Sequence, residues 1–103
     1  MLATDVQIAD STREQLQGVM FKRTLPEGYG LVFPFDGEKR RGVHMLFVRV
    51  PINVIWTVEE RVTAVTSLQP WTGYGRARAD RIIELPDGAA ISVSVGDRIT
   101  LRE

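Results

Sequence analysis

Only one short segment of this chain carries the sequence signals of a helix, and the rest reads as short strands joined by turn-marked connections. The helical segment is Ser11-Thr12-Arg13-Glu14-Gln15-Leu16-Gln17, where Ser11 and Glu14 have capping-box spacing and Gly18 is placed to end it. Before it, Asp5-Val6-Gln7-Ile8-Ala9 puts Val6 and Ile8 on one buried face. Leu31, Phe33 and Phe35 again share a side, while Pro34, which has no ladder donor, predicts a strand end or a sheet edge.

The stretch from Val43 to Val58 is rich in β-branched and aromatic residues and is interrupted by Pro51, so it reads as two strands or one bent strand at the centre of the core. In its first half Leu46, Val48 and Val50 oppose Val43, Met45 and Phe47, the pattern of a strand covered on both faces. In its second half Ile52, Val54, Trp56 and Val58 share a face, with Asn53, Ile55 and Thr57 opposite. Glu59-Glu60-Arg61 reads as a turn into a strand over Val62 to Leu68, making a hairpin. Residues 70–75 read as a loop, and Asp80 to Leu85 as a strand stopped by Pro86-Asp87-Gly88. Residues Ala89 to Ser94 fit either a strand or a short helical turn; after Gly96-Asp97 a final strand points Ile99 and Leu101 inward. The expected fold is therefore all-β and mainly antiparallel, a small sandwich or barrel-like domain of about seven strands with one short N-terminal helix.

A chain of 103 residues, 44% hydrophobic, builds one core, so residues 1–103 are read as a single domain. It has no cysteine, which removes thiol nucleophiles, thiolate metal sites and disulfides together. Thirteen basic and thirteen acidic side chains give zero formal charge, and with no global field to hold a polyanion or an anionic membrane neither nucleic acid nor membrane is an expected partner. No apolar run approaches the roughly 20 residues of a membrane helix. The N-terminus shows no basic, then apolar, export pattern, and a cytoplasmic location is expected.

The single histidine, His44, is the one side chain whose ordinary pKa suits proton transfer near neutrality. No Gly-x-Ser-x-Gly elbow or other nucleophile pattern accompanies it. Metal ligation is not expected either: one histidine and no cysteine leave only carboxylates, and Glu59-Glu60 and Asp36 with Glu38 read as solvated turns. The basic residues say more. Eleven of the thirteen are arginine, whose planar fork fits carboxylate or phosphate, with Lys39-Arg40-Arg41 forming one cluster and Arg76, Arg78 and Arg81 another. Trp71 and Tyr74 precede the second cluster, which makes the segment from Trp71 to Arg81, read as a loop, an anion-binding candidate. Arg49 lies between Phe47 and Pro51 in apolar sequence; if it is inward, it must find a carboxylate or a bound anion.

Gly18-Val19-Met20-Phe21-Lys22-Arg23, Leu25-Pro26, Gly30-Leu31 and Phe33, His44-Met45, Pro51-Ile52-Asn53, Glu84-Leu85-Pro86 with Gly88, and Gly96-Asp97 occur in an order and spacing that resembles the domain of unknown function 192 family, from about Val6 to Leu101. The resemblance implies a small β-sandwich or barrel-like domain with a short helix near its N-terminus, and it brings no activity, substrate or cofactor with it. Where many members of that family have Pro-Leu-Asp, this chain has Pro51-Ile52-Asn53, which replaces an ionisable carboxylate by an amide. Where many bacterial members have Lys-Asn-Thr after the methionine, it has Leu46-Phe47-Val48.

Carried onto this sequence, the resemblance singles out Arg23, His44 and Asn53; Arg49 and Trp71 join them on their own chemistry. The expectation is that Arg23, His44, Arg49 and Asn53 line one concave surface, with Trp71 as a stacking wall, for a small polar or anionic ligand. A protein partner is the other occupant considered. The function so read is a non-enzymatic binding module, monomeric or weakly dimeric, without cofactor. The alternative is a hydrolase or isomerase using His44 with an arginine anion clamp.

Overall fold

A computed structural model of the chain describes residues 5–8, 29–46 and 48–99. The helix expected over residues 11–17, Arg23, Phe47 and Leu101 lie outside the described residues. The strands are β1 (Asp5–Ile8), β2 (Tyr29–His44), β3 (Ile52–Val58), β4 (Arg61–Leu68) and β5 (Tyr74–Pro86), in one sheet of order β1-β2-β5-β3-β4. β1 runs parallel to β2 and all other pairings are antiparallel, so the all-β, mainly antiparallel expectation holds.

Among the described residues there are five strands rather than about seven. One cause is Pro34, which does not end its strand: β2 runs through it for 16 residues and pairs it with Arg81 of β5, while β1 pairs only with Tyr29–Val32. The register slips between Pro34 and Lys39, and Gly37 sits at φ +85°, so a bulge follows Pro34. β5 starts at Tyr74 and not near Asp80, which makes 74–79 strand where the sequence reads as loop.

The doubly covered strand expected over residues 43–50 also gives way. β2 stops at His44, the Val48 amide turns back to the Met45 carbonyl at 3.0 Å, and Met45 and Val48 are buried while Leu46 is 54% exposed. Residues 89–93 take the turn alternative: Ala89, Ile91 and Val93 amides each donate three residues back. Of the last strand, Arg98 makes one bridge to Arg61.

The β3–β4 hairpin closes where the sequence places it, with Glu59 and Glu60 both at positive φ, the backbone of a two-residue turn that usually takes Gly or Asn. Its neighbours compensate the strain: Asp80 accepts from the Glu59 amide, Ile99 donates to the Glu60 carbonyl, and Arg98 pairs with Glu60.

The sheet buries both faces. Leu31, Phe33, Val43, Met45, Val48, Ile52, Val54, Trp56, Leu68, Ala79 and Ile82 form one cluster; Val32, Ile55, Val62, Ile83, Leu85 and Ala90 form the other. The alternation of Ile52, Val54 and Trp56 against Ile55 divides them as the sequence requires.

Beyond the part of β5 that pairs with β3, β2 and β5 continue as a two-stranded arm, Lys39–His44 against Tyr74–Ala79. The arm curls over Trp56. The Trp56 indole Nε1 donates to the Arg41 carbonyl at 3.0 Å, and a Cβ built on Gly75 would lie 2.7 Å from Trp56 Cη2. Gly75, Ala77 and Ala79 are the small residues on the arm's inner face, so backbone and indole can approach closely. Among the described residues no helix is long and apolar enough to cross a membrane.

Candidate functional site

Antiparallel pairing puts directly opposed residues on the same face. In the arm, Arg40 opposes Arg78, Gly42 opposes Arg76 and His44 opposes Tyr74, and all six are exposed. The other face turns Val43 and Ala79 into the core. The Lys39-Arg40-Arg41 cluster is therefore split by the pleat. Arg41 faces inward, stacks 3.7 Å from the Phe35 ring centre and donates to the Ala79 and Gly37 carbonyls, while Arg40 faces out.

Tyr74 lies across Gly42: a Cβ there would stand 2.6 Å from its hydroxyl oxygen and 3.1 Å from Cζ. The phenol end of the ring reaches the strand there, and the residue remains 62% exposed. Arg76 is two residues along the same strand, His44 is directly opposite, and Arg40 is two residues beyond Gly42. Arg40 and Arg78, like charges directly opposed, repel each other in the free protein; Glu38 pairs with Arg78 and offsets part of this.

Two hydrogen-bonded loops extend the face. Met45 N donates to the Gly73 carbonyl at 3.1 Å and Trp71 N to the Val48 carbonyl at 3.2 Å, joining residues 45–51 to residues 69–73. Leu46, Arg49 and Trp71 are exposed on these loops, and Trp71 sits at φ +65°. Arg49 is therefore not the inward cation that its apolar sequence neighbours allow. The His44 Nδ1 accepts the Leu46 amide at 3.2 Å, so the neutral ring carries its proton on Nε2. Among the described residues, no hydroxyl or carboxylate hydrogen-bonds that ring.

Three residues singled out from sequence, His44, Arg49 and Trp71, thus belong to the arm and its loops, and Asn53 does not. Asn53 is 4% exposed on the β3 face away from Ile52, Val54 and Trp56, where its Nδ2 donates to Ser67 Oγ (2.9 Å) and Asp87 Oδ1 (3.2 Å) and its Oδ1 accepts the Ala90 amide (2.9 Å). It fastens the Pro86–Ala90 turn to β3 and β4. The amide is required because Asp87 is its neighbour: a carboxylate would meet another carboxylate and lose both donated bonds. Asn53→Asp should therefore destabilise by roughly 1–3 kcal/mol at pH 7, and less when both acids are protonated. Urea unfolding of this variant, of Asp87→Asn and of the double variant checks it; a double variant no more stable than Asn53→Asp alone would contradict it.

One functional-type residue escapes the sequence reading. Glu84, in β5, is 7% exposed and lies opposite Leu31 and Val54, on the face of the Trp56 cluster. Its Oε1 has no hydrogen-bond partner among the described residues, and burial pushes its carboxyl from the ordinary 4.5 up to about 7. The signal was present: a carboxylate inside Ile82-Ile83-Glu84-Leu85, a run apolar on both faces. Arg81 Nη1 is also buried without a partner among the described residues, but three positions away on a strand it belongs to the other face.

Fold and site together define a small all-β domain with one curled sheet whose terminal arm presents a basic face with an exposed ring. The family model for domain of unknown function 192, described as an uncharacterized ACR, matches residues 1–101, and the chain belongs to that family. The UPF0127 protein PH1112 of Pyrococcus horikoshii is 39% identical over 101 residues, 92% of this chain and 85% of the relative. The UPF0127 protein PF1050 of Pyrococcus furiosus is 37% identical over 92% and 84%. Among solved structures, a protein of unknown function from Novosphingobium aromaticivorans superposes with TM-score 0.79 at 20% identity, covering 93% of this chain and 74% of that one. A protein from Sinorhizobium meliloti described as a candidate transcription regulator does so with TM-score 0.80 at 20% identity, covering 90% and 78%. These two likenesses establish the fold alone.

Proposed function

We propose that this protein is a non-enzymatic binding module that takes a ligand bearing an anionic group on the outer face of the β2–β5 arm. One observation carries the reading: Arg40, His44, Tyr74, Arg76 and Arg78 share one solvent face, with the phenol end of Tyr74 at Gly42. Arginine forks supply paired donors to an oxyanion, and the exposed ring supplies an apolar plane. Arg49 and Trp71 extend this face along the joined loops. Catalysis is left out of the proposal because the hydrogen bonding of His44 supplies no nucleophile.

A cytoplasmic location belongs to the same reading. The test is calorimetric titration with inorganic pyrophosphate. The wild type should bind saturably, and the Arg40→Ser, Arg76→Ser double variant should lose at least tenfold in affinity with an unchanged thermal midpoint, the scale expected when charge-assisted bonds worth about 1.5–3 kcal/mol each are removed. Equal binding by both proteins, or none by the wild type, contradicts it.

A further inference from the structure

Resting on the arm as an anion-binding face, we propose that its ligand is single-stranded nucleic acid, with an unpaired base stacked on Tyr74 and the adjoining phosphates held by Arg40, Arg76 and Arg78. Three observations combine. Arg76 and Arg78 occupy alternate positions of one strand, about 6.8 Å apart at the usual antiparallel rise, a linear row suited to successive phosphates. Arg40 stands directly across from Arg78, a like-charge pair that an intervening anion relieves. The Tyr74 ring, 62% exposed with its phenol end at Gly42, is an exposed aromatic of the kind on which bases stack.

The combination favours an unpaired strand over a duplex. Bases in a duplex are already stacked on each other and leave no π-face for Tyr74, whereas each base of a single strand offers one. Zero net charge does not prevent this, because binding depends on the local row of guanidinium groups; it does remove long-range steering, so the complex is salt-sensitive and of modest affinity. Trp71 lies beyond His44 on the joined loops, where a neighbouring base would extend. Glu38 is the built-in opponent, since its ion pair with Arg78 must be exchanged for a phosphate.

The experiment is fluorescence anisotropy of a labelled oligothymidylate, with about twelve nucleotides to span a site of the usual size, titrated with the full chain across a salt series. The expected result is saturable binding whose affinity falls with salt at a slope near −0.7 for each phosphate engaged. Arg76→Ser should flatten the slope by one such step. Tyr74→Ala should weaken binding about tenfold at unchanged slope, and Tyr74→Phe should restore it. Glu38→Gln should tighten binding by releasing Arg78.

Circular dichroism and the thermal midpoint verify that each variant is folded. Equal affinity for the duplex, indifference to Tyr74→Ala, or thymidine monophosphate binding as tightly as the oligomer overturns the nucleic-acid proposal. If pyrophosphate binds at the arm while the oligomer does not, this proposal fails and the anion-binding module stands. If neither binds, both fail.

Discussion

Trp56→Ala is expected to lower the unfolding free energy by roughly 3–5 kcal/mol, a large share of the stability of a domain this size. Trp56 is 1% exposed in the middle of β3, and it is where the curled sheet closes on itself. Its ring touches the backbone of Gly75, which lies seven positions from its register partner Ile82, and its Nε1 holds the Arg41 carbonyl. Truncation removes the ring and orphans that carbonyl, and Gly75, Ala77 and Ala79 are too small to fill the space. Trp56→Phe keeps most of the apolar volume and loses the donated bond, so about 1 kcal/mol of further loss reports on the arm's attachment. Urea unfolding measures both. A Trp56→Ala protein within 1 kcal/mol of wild type would mean that the arm is not held as described.

The second large effect is a pH dependence that comes from Glu84. Its carboxyl in the folded protein is raised to about 7 by burial, so between the unfolded and folded values the native state keeps a proton that the unfolded chain has released. The stabilisation is full below about pH 4.5, is lost as pH rises toward 7, and levels off above; the whole span is on the order of 3 kcal/mol. Glu84→Gln retains the shape and removes the titration. This variant should match the wild type near pH 4 and exceed it by up to that amount at pH 8. Urea midpoints across the range test this, and parallel profiles for the two proteins would contradict it.

What the sequence shows of this fold depends on which residue types carry each element. The β3–β4 hairpin is readable because Ile52 to Val58 and Val62 to Leu68 are rich in β-branched residues and are separated by the charged run Glu59-Glu60-Arg61. The first half of β5 is hidden by the same criterion. Gly75-Arg76-Ala77-Arg78-Ala79 does alternate, but small residues replace branched ones because Trp56 needs room, so a strand resembles a charged loop. Pro34 misleads in the other direction, since β2 runs on through it to His44.

For the site, residue chemistry was legible and residue company was not. The arginine clusters, His44 and Trp71 stand out by type, yet only the register of β2 against β5 shows that Arg40 and His44 face out with Arg76 and Arg78 while Arg41 turns in. Asn53 stands out for replacing an expected carboxylate, and its reason is Asp87, a partner 34 positions away. Sequence spacing cannot supply that pairing.

The central claim, that the outer face of the arm is the binding surface, is tested most directly by mapping amide shifts in the NMR spectrum of the ¹⁵N-labelled protein during titration with pyrophosphate. The account predicts saturable shifts concentrated in residues 40–44 and 74–78 and fading through the loops at 45–51 and 69–73. Saturable shifts centred instead on Asn53, Asp87 and Ala90, or an unchanged spectrum, would contradict it.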